Sequence, residues 1–275
     1  MSGSQNVESE LPGEPTARSR IDAIRDRLQA LGRPDVRIIG VSKTHGPERI
    51  VEVYRAGLRD FGENRQNEAR DKFPLVARAL DGARADAALR QSGPAGDAPG
   101  NLERPTYHHI GPLQSGSARQ IPGLFDYVHG VSSLGPDTPL DTLMKAAERR
   151  LSPGAEGSLH YLVQVALTAE ETKAGGMPIE AVRNLDSFPE NDFVRFAGFM
   201  TMGPQSQEPV LTRQVFQRLR ELRDAIFPEG ELSMGMSGDW ELAVAEGATM
   251  IRVGTAIFGP RGAGPWKAQA RPQET

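Results

Sequence analysis

The chain contains no cysteine. That excludes disulfides, thiolate metal sites and a cysteine nucleophile at once. It also lacks any apolar run of the roughly 18 residues needed to cross a bilayer, so no membrane contact is expected. The segment Met1 to Thr16 is polar and acidic, with neither the basic start nor the apolar centre of a secretory signal. Positive charge is not in excess: the net charge is −4, which gives no overall attraction to nucleic acid or to an anionic membrane. These absences point to a cytoplasmic protein with a disordered leader over residues 1–17. What remains is ordinary for a globular protein: 275 residues, 38% hydrophobic and 25% charged, enough to bury a substantial core.

The apolar pattern alternates between two periods. Ile21, Ile24, Leu28 and Leu31 form one helical stripe, and Gly32 and Pro34 stop it. Strands are then predicted at Val36–Ser42, Arg59–Gly62, Tyr107–Ile110, Tyr127–Val131, Tyr161–Leu167, Val194–Met200, Leu232–Ser233 and Met250–Val253. Helical patterns lie between them, at Pro47–Ala56, Glu63–Leu80, Ser115–Ile121, Asp137–Leu151, Pro178–Leu185, Pro209–Phe227 and Asp239–Glu246. Eight strands alternating with helices predict a single (β/α)₈ barrel of the α/β class with an N-terminal helix, over residues 18–261. The run Tyr161–Leu167 is apolar on nearly every residue, as a parallel strand covered on both faces requires. One break interrupts the pattern. Asp81 to Pro105 is rich in Ala, Gly, Asp and Pro, and is read as a flexible surface insertion, dispensable for any site in the barrel. Residues 262–275 read as a disordered tail.

Chemistry concentrates at strand ends. Lys43 closes the run Arg37-Ile38-Ile39-Gly40-Val41-Ser42-Lys43, sharing strand parity with Ile39 and Val41. Facing inward, it would stand at the C-terminal mouth of the barrel, where barrel chemistry takes place. Withdrawal from water would lower its pKa and make it a nucleophile toward an aldehyde. The loops after strands seven and eight commonly bind phosphate in such barrels. Here they carry Gly235, Ser237, Gly238, Gly254 and Thr255, where bare backbone N–H groups and two hydroxyls can approach an anion. Pyridoxal 5′-phosphate (PLP) carries both an aldehyde and a phosphate. Arg252 has the parity of Met250 and would face the interior, where it needs an acceptor. A pyridine nitrogen is one, and a carboxylate such as Glu63 or Asp239 is another. An arginine can only donate, so it would hold a pyridine nitrogen unprotonated. The adjacent His108 and His109 face opposite sides of a strand and make a poor metal pair. Met200, Met202, Met234 and Met236 read as core filling.

With these residues in view, the chain resembles the pyridoxal phosphate homeostasis protein family, whose fold is similar to the N-terminal barrel of alanine racemase. The likeness covers Arg18 to Arg261. It rests on Val41-Ser42-Lys43-Thr44, Phe61-Gly62-Glu63-Asn64, His109-Ile110-Gly111-Pro112-Leu113-Gln114-Ser115, Lys173-Ala174-Gly175, Gly198-Phe199-Met200-Thr201-Met202, Ser233-Met234-Gly235-Met236-Ser237-Gly238-Asp239 and Arg252-Val253-Gly254-Thr255-Ala256-Ile257-Phe258-Gly259. The resemblance implies that Lys43 forms a Schiff base with PLP, that Ser237, Gly254 and Thr255 hold the phosphate, and that Arg252 faces the pyridine nitrogen. It places Asn64 among the cofactor-binding residues. Three departures stand out. Arg65 replaces a usual aromatic, Gly116-Ser117 replaces a usual Asn-Lys although Arg119 remains, and the insertion after Leu80 is long. They touch the barrel mouth and surface and leave the cofactor pocket intact.

Three functions are open on the sequence. The first is a PLP carrier serving intracellular PLP homeostasis with little or no catalysis, and PLP-dependent apoenzymes as its recipients. An Arg opposite the ring nitrogen suppresses carbanion chemistry, and no region after the barrel is expected to supply the second base a racemase needs. The second is a PLP-dependent amino-acid racemase. The third is an aldolase in which Lys43 attacks a sugar phosphate directly; a visible absorption band removed by hydroxylamine separates it from the other two.

Overall fold

The computed structural model describes residues 15–90, 104–151, 158–168, 175–259 and 266, with the backbone alone for residues 83–90. Helix α1 (Ala17–Ala30) starts where the Thr16 hydroxyl accepts the Ser19 N–H, and its stripe of Ile21, Ile24 and Leu28 is buried. The strands are β1 (Arg37–Val41), β2 (Asp60–Glu63), β3 (Thr106–Pro112), β4 (Tyr127–Val131), β5 (Leu159–Ala166), β6 (Met177–Pro178), β7 (Val194–Met200), β8 (Glu231–Ser233) and β9 (Met250–Val253). Between them lie α2 (Pro47–Arg55), α3 (Gln66–Arg90), α4 (Ser115–Ala118), α5 (Pro139–Arg150), α6 (Ile179–Arg183), α7 (Pro209–Ile226), α8 (Trp240–Ala245) and α9 (Thr255–Phe258).

All pairings are parallel. The order β4-β3-β2-β1-β9-β8-β7-β5 closes on itself through β4–β5, while the two-residue β6 hangs on β5 alone. The result is the eight-stranded barrel expected from the alternation, and each of the eight predicted strands overlaps one of its staves. Closure leaves the eight staves themselves no free edge to attract another chain. The outward faces of the strands join the helices in one continuous core that includes Phe61, Tyr161, Val163, Phe199 and Phe216. Burying each such side chain contributes roughly 1.5–3 kcal/mol.

The structure differs from the expectation after Leu80. Helix α3 continues to Arg90 and takes in the first ten residues of the supposed insertion. Ala83, Ala85, Ala87, Ala88 and Leu89 are strong helix formers, and their propensity outweighs the missing apolar stripe. The rest of that stretch, 91–103, lies outside the described residues, as do residues 1–14 and all of 262–275 except Trp266. Among the described residues no helix is long and apolar enough to cross a membrane.

Candidate cofactor site at the barrel mouth

Strand β1 stops at Val41, and Lys43 sits two residues further on, half-buried in a turn rather than on the strand itself. Strand parity therefore does not set its direction; the turn does. Thr44 adopts φ 72, the left-handed region that a β-branched residue rarely visits. Such strain persists only where the surroundings over-determine it, and here they do. The Thr44 N–H donates to Glu68 Oε1 at 3.1 Å, the Ser42 N–H to the Gly62 carbonyl at 3.0 Å, and the Ser42 hydroxyl to Glu63 Oε1 at 2.8 Å. Beneath the turn lies the fully buried Lys72. Its Nζ donates to Glu63 Oε1 at 2.7 Å, Glu68 Oε1 at 3.0 Å and the Ser42 carbonyl at 3.2 Å. The Trp266 ring stands 5.7 Å from that ammonium. Burial pushes the Glu63 carboxyl above its ordinary range, and Lys72 and Ser42 pull it part of the way back.

The two glycine-bearing loops meet directly. The Gly254 N–H donates to Ser237 Oγ at 3.3 Å, joining the loop after β8 to the loop after β9. Two of the glycines there differ in kind. Gly235 has φ 90, and a Cβ on it would lie 2.6 Å from Ala243, so the local fold requires it. At Gly254 φ is −105, and a Cβ would meet only Val41 at an ordinary 3.6 Å. The fold's own packing does not demand a glycine there. A ligand held against the backbone would. Thr255 and Ser237 are exposed beside it, and Asp239 shapes the loop by accepting the Met236 N–H at 2.5 Å.

Arg252 is buried inside the barrel. Its guanidinium donates to the Ser233 carbonyl at 2.8 Å, to Ser233 Oγ at 2.6 Å and to the Thr201 carbonyl at 3.0 Å. In register it pairs with Ile39 on β1, two residues before Val41. Asn64 follows β2 and is exposed, its backbone pressed against Gly111, where a Cβ would lie 2.7 Å from the Asn64 carbonyl. Of the six residues singled out in the sequence, Arg252 stands on β9 and the other five follow the C-terminal ends of four strands that are consecutive around the barrel, β2-β1-β9-β8. Of the departures, Arg65 is exposed, while Ser117 is buried and exchanges hydrogen bonds with the Gln114 backbone at the start of α4.

Sequence reasoning missed Lys72, the cluster around it, and a line of polar side chains through the barrel interior: Asp60, His129 and Ser233, besides His108. His108 and His109 do diverge. His108 turns inward to His129, and His109 turns outward, edge-on to Phe125.

The fold is a closed parallel barrel with a lysine in the turn after β1 and two glycine-bearing loops joined across its mouth, and residues 18–262 match the family described as "Alanine racemase, N-terminal domain". Within that class the relatives are specific. The chain is 33% identical over 83% of its length to the pyridoxal phosphate homeostasis protein of Synechocystis, covering 93% of it, and 34% identical over 86% of its length to that of Pseudomonas aeruginosa, covering 91%. Among solved structures it resembles PipY of Synechococcus elongatus with PLP bound, with TM-score 0.65 and 31% identity, covering 88% of this chain and all of that one. The chain belongs to the pyridoxal phosphate homeostasis protein family.

Proposed function

We propose that this protein holds PLP covalently through Lys43 and serves intracellular PLP homeostasis with little or no catalysis. The observation that carries the reading is the convergence, at the ends of the three consecutive strands β1, β9 and β8, of the Lys43 turn, the Ser237–Gly254 contact and the buried Arg252. The residues fit the group. Gly254 leaves room that the protein's own packing does not use, Ser237, Gly254 and Thr255 supply donors for a phosphate, and Asn64 borders the same mouth. When bound, PLP supplies a reactive aldehyde and, if its ring nitrogen is protonated, an electron sink. Arg252 can only donate, so facing that nitrogen it keeps the ring a weak sink and works against racemisation. The relatives' name and the PLP in the PipY structure support the same reading. PLP-dependent apoenzymes are the natural recipients of a sequestered aldehyde.

Borohydride reduction of PLP-loaded protein followed by peptide mapping is expected to place the adduct on Lys43; an adduct on another lysine instead would remove the assignment. Loaded protein incubated with L-alanine and other L-amino acids is expected to give no racemisation by chiral chromatography at the enzymatic scale of about 1–10³ per second. Turnover in that range would make it a racemase.

The cradle has its own test. Gly254→Val is expected to fold, since a Cβ there meets only an ordinary contact, yet to weaken PLP binding about tenfold or more. A charge-assisted hydrogen bond is worth roughly 1.5–3 kcal/mol, and the valine would displace the phosphate from the Gly254 N–H. Wild-type affinity in this variant would put the phosphate elsewhere.

A further inference from the structure

The barrel interior carries an unbroken line of hydrogen bonds that the proposed function does not use. Asp60 Oδ1 lies 3.0 Å from His108 Nε2, His108 Nδ1 lies 3.0 Å from His129 Nε2, and His129 Nδ1 lies 2.8 Å from Ser233 Oγ. Ser233 Oγ accepts from Arg252 at 2.6 Å. Strands β4 and β8 are not neighbours, so the His129–Ser233 contact spans the barrel itself. We propose that Asp60, His108, His129 and Ser233 are positioning residues that form a one-directional hydrogen-bond relay, fixing the Arg252 guanidinium toward the cofactor ring.

The direction follows from donor and acceptor counting. The Asp60 carboxylate can only accept, so His108 carries its proton on Nε2. A neutral His108 then has a bare Nδ1, which must accept, so His129 carries its proton on Nε2 as well. His129 Nδ1 is therefore bare and accepts the Ser233 O–H. The Ser233 oxygen is left to accept from Arg252, which can only donate. Every link is used once, and the line runs from a cation to an anion through neutral groups. Both rings are fully buried, and burial holds them neutral: His129 well below its ordinary range, with the nearby His108 and Arg252 adding to the effect, and His108 lowered despite the pull of Asp60. Tyr127 stacks on His108 at 4.7 Å and Arg37 lies 5.2 Å over Tyr127; Arg37 also faces Asp60 at 3.8 Å and Glu231 at 3.4 Å. Asp60 opens to a cleft of about 450 Å³ at the N-terminal ends of β1 and β2. The far end of the line thus reaches solvent away from the mouth.

The proposal rests on Arg252 facing the cofactor, and two measurements separate the claims. Long-range ¹H–¹⁵N correlation spectra of the unloaded full-length protein at neutral pH should show His108 and His129 neutral with the proton on Nε2. A proton on Nδ1 of either ring overturns the relay, whatever the cofactor does. Ser233→Ala and Asp60→Asn should each shift the absorption maximum of bound PLP. Ser233→Ala should also weaken PLP binding by about tenfold. Asp60 is remote from the mouth, so its effect could travel only along the relay, and Asp60→Asn keeps an acceptor for His108 and hence the fold. If borohydride marks Lys43 in wild type while both variants match wild-type spectrum and affinity, the positioning role is wrong and the carrier reading stands. If wild type takes no adduct on Lys43, the carrier reading fails and the tautomers alone decide the relay.

Discussion

Moving this protein from about pH 7.5 to about pH 5.5 is expected to remove about 3 kcal/mol of folding stability through two buried histidines alone. His129 is held well below its ordinary pKa, and His109 is pushed down to about 4 by burial against Phe125. In the unfolded chain both titrate near 6.5. The folded state therefore binds fewer protons than the unfolded state in this window, and stability falls as pH falls. The contribution is fully present above about 6.5 and is lost progressively toward the folded value. At pH 5.5 each neutral buried histidine costs about 1.4 kcal/mol. His108 acts in the same direction, while the Glu63 and Asp239 carboxyls, raised by burial, act in the opposite one. Against a typical total of roughly 5–15 kcal/mol this is a large fraction. Urea denaturation at the two pH values measures it. His109→Phe isolates one share, because Nδ1 of His109 has no partner and no bond is lost; its pH dependence should be smaller by about 1.4 kcal/mol. Equal pH dependence in wild type and His109→Phe would mean that this ring is charged in the native state.

Much of the architecture was legible in the chain because period and closure reinforce one another. A run apolar on nearly every residue, such as Tyr161–Leu167, reads as a covered parallel strand, and seven more strands alternating with helices leave few alternatives to a barrel. The mouth residues were legible for a similar reason: strand ends of a barrel converge, so Lys43, Arg252 and Gly254 could be assigned to one place without knowing a distance. What stayed hidden depends on contacts across the barrel or beneath a turn. Asp60, His129 and Ser233 each sit alone in a strand, and only closure brings β4 to β8. Their inward parity was the available signal. Helix α3 beyond Leu80 was missed because alanine-rich sequence has propensity without an apolar stripe. Lys72 was passed over as one more charge on a helical pattern, although Glu68 stands four residues before it.

That buried lysine carries the other large effect. Lys72→Met is expected to destabilise the fold by about 3–5 kcal/mol, the usual cost of breaking a buried ion pair by removing one partner. Methionine fills similar volume, so the loss is not mainly a cavity. It comes from the carboxylates of Glu63 and Glu68, left facing each other in a site where Lys72 is wholly buried and Glu63 Oε2 already has no partner. The same change should loosen the Lys43 turn, since Glu68 holds the strained Thr44 by its N–H and Lys72 holds Ser42 by its carbonyl. Urea denaturation gives the stability, and hydrogen exchange at the Thr44 amide gives the local opening, expected to rise in the variant. The double variant Glu63→Gln with Lys72→Met removes one of the stranded charges and should recover part of the loss. Two stability results would contradict this account. One is Lys72→Met within about 1 kcal/mol of wild type, and the other is a double variant no better than the single. Unchanged Thr44 exchange in a destabilised variant would instead place the cluster under the core and not under the turn. The geometry favours the turn, because one Lys72 acceptor is the Ser42 carbonyl itself and the other two, Glu63 and Glu68, accept from Ser42 and Thr44, the residues on either side of Lys43.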